Sequence, residues 1–177
     1  MVKRFIISYI KTIILPGYSA HNKEWALEIR DKMNLGHEVV VVDWDHWKED
    51  TNFSVKRELE KILKVIGKEE VNIIAKSVGV MVALNLIPKI SSQINKVILC
   101  GIASVVNEDR QDLLKVVLSK IPIENILCIQ NENDKYVPFP EAEKFYHSVD
   151  PNLKVISKPR SDHDYPYPID FEKFLNN

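Results

Sequence analysis

A serine between a short apolar run and a longer one is the first residue in this sequence that could do chemistry. Residues 71–76 form a short β-rich run that stops at Ser77, and residues 78–87 follow with helical length and almost no polar face. Ala75 and Gly79 stand two residues before and two after the serine, and small residues there allow a sharp strand-to-helix turn. Such a turn exposes the hydroxyl at the edge of a sheet, where a nucleophile would be used.

An acid and a histidine follow later strands, in the places that a reactive serine needs. A serine hydroxyl is a weak nucleophile at neutral pH, so acyl transfer requires a neutral imidazole to take its proton and a carboxylate to orient that imidazole. In an open parallel sheet, reactive groups gather beyond the carboxyl ends of the strands. Asp134 follows the fifth strand and His163 the sixth. We therefore predict Ser77 as nucleophile, His163 as base and Asp134 as the orienting acid.

Each of these residues also has an ordinary structural explanation. A serine after a strand is commonly a helix N-cap, and an aspartate or histidine in a loop commonly forms a turn or an exposed surface. Glu132 lies nearer the end of the strand and competes for the role of the acid. Lys76 beside Ser77 suggests a Ser–Lys pair, but successive strand side chains point to opposite faces, so the ammonium should not reach the hydroxyl. The ordered set of three residues favours catalysis over the separate explanations.

Strands and helices alternate along the chain. Runs rich in β-branched residues alternate with segments whose apolar residues keep helical spacing. The pattern predicts strands at residues 12–15, 39–42, 71–76, 96–101, 123–129 and 153–157, and helices at 21–33, 54–66, 78–88, 112–119, 140–148 and 169–175. Residues before Lys11 also have β composition, and this lysine is a candidate break between a leading strand and the first of the six. The predicted fold class is α/β, a three-layer α/β/α sandwich with a mainly parallel sheet of about six strands.

Local signals set some boundaries within this plan. Asn22 is a candidate N-cap of the first helix, and Gly67 a stop for the second. The β-branched run at 39–42 is typical of a strand covered on both faces. The connections after the strands are too short for a helical lid, so we expect a shallow, open site. Residues 1–177 contain no linker or repeat, and we expect a single domain.

The composition excludes several classes of function. Lys plus Arg number 24 against 25 Asp plus Glu, a net charge of −1, so nothing attracts nucleic acid or an anionic membrane. No apolar run approaches the roughly 20 residues of a membrane-spanning helix. The basic and apolar N-terminus imitates a signal peptide, but Lys11 cuts the apolar stretch short, and we expect a cytoplasmic protein. Cys100 and Cys128 end apolar runs and are predicted to be buried thiols.

A cluster of acidic residues and a histidine after the second predicted strand raises the alternative of a metal site. Asp43, Asp45 and His46, with His21 nearby, could suggest a metal site. Carboxylates on one loop are more commonly a solvated rim or a capping cluster, and we predict no metal and no cofactor. The neighbouring tryptophans, Trp44 and Trp47, are expected to pack in the core or to line one side of the cleft.

These motifs together resemble the α/β-hydrolases, whose pattern is Gly-x-Ser-x-Gly followed by an acid and then a histidine. The resemblance covers nearly the whole chain. Within the family, the chain is similar to the small lidless serine hydrolases of the retinoblastoma-binding-protein-nine type. It is carried by the elbow Ala75-Lys76-Ser77-Val78-Gly79, Asp134 with Val137-Pro138, His163, the loop Leu15-Pro16-Gly17-Tyr18, the Trp25 helix and Asp43-Trp44. Ala75 stands where the family has Gly, and Pro16-Gly17 replaces a His-Gly loop. The resemblance implies that the backbone N–H groups of Val78 and Tyr18 form the oxyanion hole.

The resulting expectation is a serine hydrolase, carboxylesterase-like, that cleaves small to moderate acyl esters through an acyl-enzyme. Its partner would be a small-molecule acyl substrate, and the sequence predicts no particular oligomeric state. Two alternatives stay open. The chain could be a catalytically silent binding protein on the same fold, or an acyltransferase that passes the acyl group to an alcohol or amine.

Overall fold

The structure, a computed structural model, describes residues 10–48, 51–105 and 108–177. Within these residues a six-stranded parallel sheet has the strand order β2-β1-β3-β4-β5-β6. The strands are β1 Ile10–Leu15, β2 Val39–Val41, β3 Glu70–Lys76, β4 Ile94–Cys100, β5 Ile126–Asn131 and β6 Lys154–Lys158. The helices are α1 Asn22–Lys32, α2 Val55–Ile66, α3 Val78–Leu86, α4 Glu108–Leu118, α5 Phe139–Val149 and α6 Pro168–Asn176. Each strand is followed by one helix, as the sequence predicts.

Two apolar cores lie on the two faces of the sheet. Side chains of α2, α3, α4 and α5 pack with one set of strand residues, and side chains of α1 and α6 pack with the other set. Along β1, Ile13 and Leu15 belong to the first core and Ile14 to the second, because successive strand side chains point to opposite faces. The predicted three-layer α/β/α sandwich is confirmed. No helix in the described ranges is long and apolar enough to cross a membrane.

Two local predictions are wrong, and a third holds in part. The run at residues 39–42 forms a parallel strand whose side chains pack on both faces of the sheet, but β2 lies at the edge and is only partly buried. Lys11 does not break the first strand: it lies within β1, opposite Val71, and its ammonium contacts Glu69. The leading strand proposed before it lies outside the described residues. Asn22 makes no capping bond, because its side chain is used elsewhere, as described below.

Other local predictions are confirmed. Ser54 caps α2 by accepting a hydrogen bond from Arg57 N, and Gly67 ends that helix with a φ of 61°. Cys100 and Cys128 are free, buried thiols on the neighbouring strands β4 and β5. Burial raises the pKa of Cys100 to about 12, so this thiol stays protonated.

The strand order fixes where a site can lie. The chain goes from β1 outward to β2 and then returns to form β3 on the other side of β1. The loops after β1 and β3 therefore diverge and leave a crevice at the carboxyl ends of these two strands. Ser77 is the single residue between β3 and α3, so it lies at this crevice.

Gly79 allows α3 to start directly against the end of β1. A Cβ atom at this position would lie 2.1 Å from the carbonyl oxygen of Leu15 and 2.9 Å from that of Pro16. Both atoms belong to the backbone, so they cannot move aside as the end of a flexible side chain can. The small residue two places after the serine is therefore a requirement of packing.

We predict that Gly79→Ala destabilises the protein by about 3 kcal/mol, the upper end of the usual cost of overpacking a core. The measurement is the free energy of unfolding in urea. Gly36→Ala is the matched control: no atom lies within 4 Å of its Cβ, and its φ of 67° gives a conformational cost of only about 1–2 kcal/mol. Equal stability of the two variants would contradict the packing argument.

Candidate active site

Ser77 has a backbone conformation that few side-chain-bearing residues adopt. Its φ is 57° and its ψ is −117°, and it is the one non-glycine residue with positive φ in the described part of the chain. Its N–H donates to Cys100 O at 3.1 Å, and its carbonyl accepts from Val80 N at 3.0 Å. These bonds fix both ends of a strained turn. Backbone strain of this kind is typical of functional sites, because the surrounding structure must hold it.

The turn leaves a backbone donor beside the serine. Val78 is the first residue of α3, and the first N–H groups of an α-helix have no acceptor within the helix. The positive end of the helix dipole also lies here. The Val78 N–H is therefore available to an anionic group placed near Ser77.

Asp134 is a buried carboxylate with both oxygens hydrogen-bonded. It is 3% exposed and lies in the loop after β5. Its Oδ2 accepts from His163 Nδ1 and from the Tyr165 hydroxyl, both at 2.6 Å, and its Oδ1 accepts from Tyr136 N at 2.9 Å. Burial alone raises the pKa of Asp134, but these hydrogen bonds outweigh it and the net pKa is lowered. The carboxylate therefore stays ionised at neutral pH.

His163 is held at one nitrogen and free at the other. Nδ1 bonds to Asp134, whereas Nε2 is buried and makes no hydrogen bond to any described residue, Ser77 included. The ring packs edge-on against Tyr136 and Tyr165, with ring centroids 4.6 and 5.8 Å apart. His163 and Ser77 line the same cleft. The structure thus brings the imidazole and the serine to one cleft, with the acid behind the imidazole.

Tyr165 was not found by sequence reasoning. Its hydroxyl donates to Asp134 and accepts from Asn131 N at 3.2 Å, and its carbonyl accepts from Trp25 Nε1 at 3.0 Å. Room for the ring exists because Gly101 has no side chain: a Cβ there would lie 2.5 Å from a ring carbon of Tyr165. No local pattern marks a tyrosine as a partner of an acid 31 residues earlier.

The loop after β1 is clamped by two tryptophans. Trp44 Nε1 donates to Gly17 O at 3.0 Å, and Trp47 Nε1 donates to Tyr18 O at 2.7 Å. The Gly17 carbonyl and the Tyr18 N–H belong to one planar trans peptide, so they point in opposite directions. Trp44 is fully buried, and the Tyr18 N–H therefore points away from this indole. Sequence reasoning treated Trp44 as packing and missed this contact.

Lys76 connects the strand before the serine to two loops, and its ammonium makes no hydrogen bond to the serine hydroxyl among the described residues. Its side chain is buried, and its ammonium donates to Asn22 Oδ1 at 2.8 Å and to Asp164 Oδ1 at 3.2 Å. It also lies 4.8 Å from the centroid of a Trp25 ring. Asn22 in turn donates to Ser19 O in the loop after β1. The contacts of the ammonium thus connect the elbow strand to the loop of His163 and to the loop of Tyr18.

The competing candidates are placed elsewhere. Glu132 is exposed, and the partner of His163 is Asp134. The carboxylate of Asp43 pairs with Lys23 and Lys48, and that of Asp45 pairs with Lys61. No group of three or more potential metal ligands occurs among the residues that the structure covers. The carboxylates of the loop after β2 are thus paired with lysine ammonium groups.

The cleft around Ser77 has a volume of about 690 Å³ and two unlike walls. One wall is apolar and consists of residues from α3 and from the loop after β4: Val80, Met81, Leu84, Ile102 and Ala103. The other wall is polar and consists of residues from the loop after β1, the start of α1 and the loop after β6: Ser19, His21, Asn22, Asp162 and Asp164. A cleft of this size accepts a small molecule and presents an apolar surface to part of it.

Comparison with known proteins agrees with this geometry. The serine hydrolase family model matches residues 12–163. The chain therefore belongs to the serine hydrolase family. It is a serine hydrolase with an α/β-hydrolase fold.

Several solved structures share the fold. An α/β serine hydrolase without a lid from Xanthomonas campestris has a TM-score of 0.67 at 15% identity, over 94% of this chain and 79% of that one. An α/β serine hydrolase homologue from Coxiella burnetii has a TM-score of 0.69 at 15% identity, with 94% and 83% covered. Est1E from Butyrivibrio proteoclasticus, solved with ferulic acid, has a TM-score of 0.71 at 14% identity, with 96% and 89% covered. No curated protein sequence matches the chain.

We predict that Tyr165→Phe destabilises the protein by about 1.5–3 kcal/mol at neutral pH, because it removes a hydrogen bond to an ionised carboxylate. Since the folded pKa of Asp134 is lowered, this contribution is full above the unfolded value of about 3.9 and is lost as pH falls through the folded pKa. The difference in unfolding free energy between wild type and variant should therefore shrink in acid, as measured by urea unfolding at several pH values.

Tyr167→Phe is the matched control for this prediction. Its hydroxyl donates to the neutral amide oxygen of Asn131 at 2.6 Å, so its loss should cost about 1 kcal/mol at every pH. If the cost of Tyr165→Phe does not depend on pH any more than that of Tyr167→Phe, the bond to the ionised form of Asp134 is not important.

Proposed function

We propose that this serine hydrolase cleaves esters of small to moderate acyl groups through Ser77, His163 and Asp134. The observation that carries the proposal is the state of His163. Its Nδ1 is bonded to a buried carboxylate, its Nε2 has no hydrogen-bond partner among the described residues, and the residue lines the same cleft as Ser77. An imidazole held in this way has one nitrogen left to accept a proton.

The proposed reaction has two steps. Ser77 Oγ attacks the ester carbonyl while His163 Nε2 takes the hydroxyl proton, and His163 then returns that proton to the departing alcohol. Water repeats the sequence on the acyl-enzyme and releases the acid. Asp134 keeps the Nδ1–H tautomer of His163 and stabilises the imidazolium that forms. No step requires a cofactor. The bond between Ser77 and His163 would form in the substrate complex, because such bonds often tighten only there.

The backbone N–H groups of Val78 and Tyr18 are proposed to stabilise the oxyanion. Val78 N–H is a free donor at the start of α3, next to the nucleophile. Tyr18 N–H is oriented by Trp44, which holds the carbonyl of the same peptide from the opposite side. Donors that are fixed before the reaction stabilise the developing charge without reorganising during it.

A fluorophosphonate probe should label the wild-type protein at Ser77 and should fail to label Ser77→Ala, because the probe reacts only with an activated serine. Asp134→Asn should lower kcat/KM on p-nitrophenyl esters by at least about a thousandfold, since it loses the tautomer that the reaction needs. Glu132→Gln is the control for the acid and should keep the parental rate.

Three results would contradict this assignment: equal labelling of Ser77→Ala, a small effect of Asp134→Asn, or a large effect of Glu132→Gln. A labelled wild type that turns over no ester would point to a catalytically silent binding protein. Product analysis in the presence of alcohols or amines separates hydrolysis from acyl transfer.

The oxyanion role of Tyr18 predicts different effects of the two clamping tryptophans. Trp44→Phe keeps an aromatic side chain, smaller than the indole, but removes the donor to Gly17 O, so the Tyr18 N–H loses its fixed direction. We expect kcat to fall by about tenfold, a fraction of the hundredfold or more that loss of an oxyanion donor costs. Trp47→Phe removes the donor to the next carbonyl and should leave kcat within about twofold. The measurement is steady-state kinetics on one ester, with thermal unfolding of each variant to confirm that it folds. Equal effects of the two substitutions on kcat would contradict the oxyanion role of Tyr18.

A further inference from the structure

Two basic side chains that line the cleft have no acidic partner among the described residues: Lys135, which is exposed, and Arg110, which is partly buried. Arg110 lies in the first turn of α4 and lines the cleft. Its Nη1 donates to Ser104 O at 2.6 Å, but its Nε is buried and makes no hydrogen bond within the described part of the chain. Part of the guanidinium is thus shielded from water and left without a protein acceptor.

The acidic side chains that line the same cleft are already engaged. Asp162 accepts from Arg160, with Nε at 3.0 Å, and Asp164 accepts from the buried ammonium of Lys76. An incoming cation would therefore meet carboxylates that are neutralised. An incoming anion would meet two positive charges without an acidic partner among the described residues, the ammonium of Lys135 and the guanidinium of Arg110. Of the two, only the guanidinium is partly buried.

Burial makes this charge costly in the empty protein. Desolvation lowers the pKa of Arg110, and the opposing effect comes only from the phenol of Tyr146. A guanidinium remains charged in proteins despite such a shift, so it stays a strong donor. Its planar fork matches a carboxylate, and such a bond is stronger where water is partly excluded. Binding of an acidic group would thus relieve an unfavourable state.

The position of Arg110 relative to the apolar wall indicates what kind of molecule could carry an acidic group to it. The wall begins at Val80 near Ser77 and continues through Met81 and Leu84 along α3. Since an α-helix rises about 1.5 Å per residue, Leu84 lies roughly 10 Å along the helix from Ser77. Arg110 belongs to the next helix of the same face, and its Nη1 contacts the loop that supplies Ile102 to the wall. A short methylene chain on this surface can carry an acidic group to the guanidinium.

We propose that Arg110 binds a carboxylate carried by the substrate, so that the preferred substrates are esters with a second, free carboxylate, such as half-esters of dicarboxylic acids. This inference rests on the proposed ester hydrolysis at Ser77. Because the carboxylate binds away from the reacting carbonyl, it contributes equally to the ground state and the transition state. Its effect should appear in KM and much less in kcat.

The test compares monomethyl and dimethyl esters of dicarboxylic acids from succinate to suberate, which differ in charge at equal chain length. Wild type should show kcat/KM at least roughly tenfold higher for the best half-ester than for its diester, as expected for one charge-assisted hydrogen bond. In Arg110→Met this ratio should fall to about one, mainly through KM, and Arg110→Lys should keep part of it. Acetyl esters of hydroxy acids, tested in parallel, place the carboxylate on the alcohol side instead.

Lys115→Met is the matched control, because it removes a positive charge from the same helix at an exposed position that does not line the cleft. It should retain the wild-type ratio. The inference is overturned if wild type prefers neither half-esters nor acetylated hydroxy acids, or if the preference survives Arg110→Met.

A binding measurement separates failure of this inference from failure of the proposed function. Calorimetry with Ser77→Ala protein should show that monomethyl adipate binds at least roughly tenfold more tightly than dimethyl adipate, and that Arg110→Met in the same background removes the difference. If esters are not hydrolysed and Ser77 is not labelled, but this difference remains, the carboxylate site stands and the proposed reaction is wrong. If hydrolysis occurs without any difference in binding, the carboxylate site is wrong and the reaction stands.

Discussion

The close approach of α3 to the end of β1 is the constraint on which the rest of the site depends. Gly79 lets the helix start within van der Waals distance of the Leu15 carbonyl, so the chain between β3 and α3 has room for one residue only. That residue is Ser77, and a single residue can reverse direction between strand and helix only with the strained φ and ψ observed. The same approach sets the first N–H of α3 beside the loop that carries Tyr18. The positions of the proposed nucleophile and of both proposed oxyanion donors thus follow from one packing contact.

The histidine loop is held by polar contacts, in contrast to the helix-packed elbow. Residues 159–167 have no regular secondary structure, yet the loop is bonded on several sides. Asn131 Nδ2 donates to the carbonyls of Asp162 and Asp164, at 2.9 and 2.7 Å, and Trp25 donates to that of Tyr165. Buried polar groups without partners are costly, so a network of this kind permits few alternative loop conformations. The polar contacts of its loop thereby hold His163 in place, together with the rings of Tyr136 and Tyr165.

The sequence predicts those features of the fold and of the site that depend on a pattern among neighbouring residues. Alternating apolar periodicity is a property of neighbouring residues, and it predicts the six strands, the six helices and the places after β5 and β6 where Asp134 and His163 lie. The edge position of β2 could not be predicted, because the β-branched composition of residues 39–42 is the same for an edge strand and a central one. Asn22 illustrates the limit for side chains. Its local pattern fits a helix cap, but the buried ammonium of Lys76, 54 residues later, donates a hydrogen bond to its side-chain oxygen Oδ1.

The contacts that could not be predicted from the sequence join residues that are far apart along the chain. Trp25 and Tyr165 are 140 positions apart, and Trp44 acts on the peptide of Gly17 and Tyr18 from another strand end. Contacts of this kind depend on how the carboxyl ends of different strands meet, which no short stretch of sequence records.

The residues proposed to react and the residues that would select the substrate lie on different parts of this fold. The proposed reacting groups come from loops whose positions the sheet fixes, whereas the wall that a substrate would touch comes from α3, α4 and the loop after β4. Side chains there can change without disturbing the strand ends, so the proposed carboxylate site at Arg110 would alter which ester is bound and leave the proposed reaction at Ser77 the same.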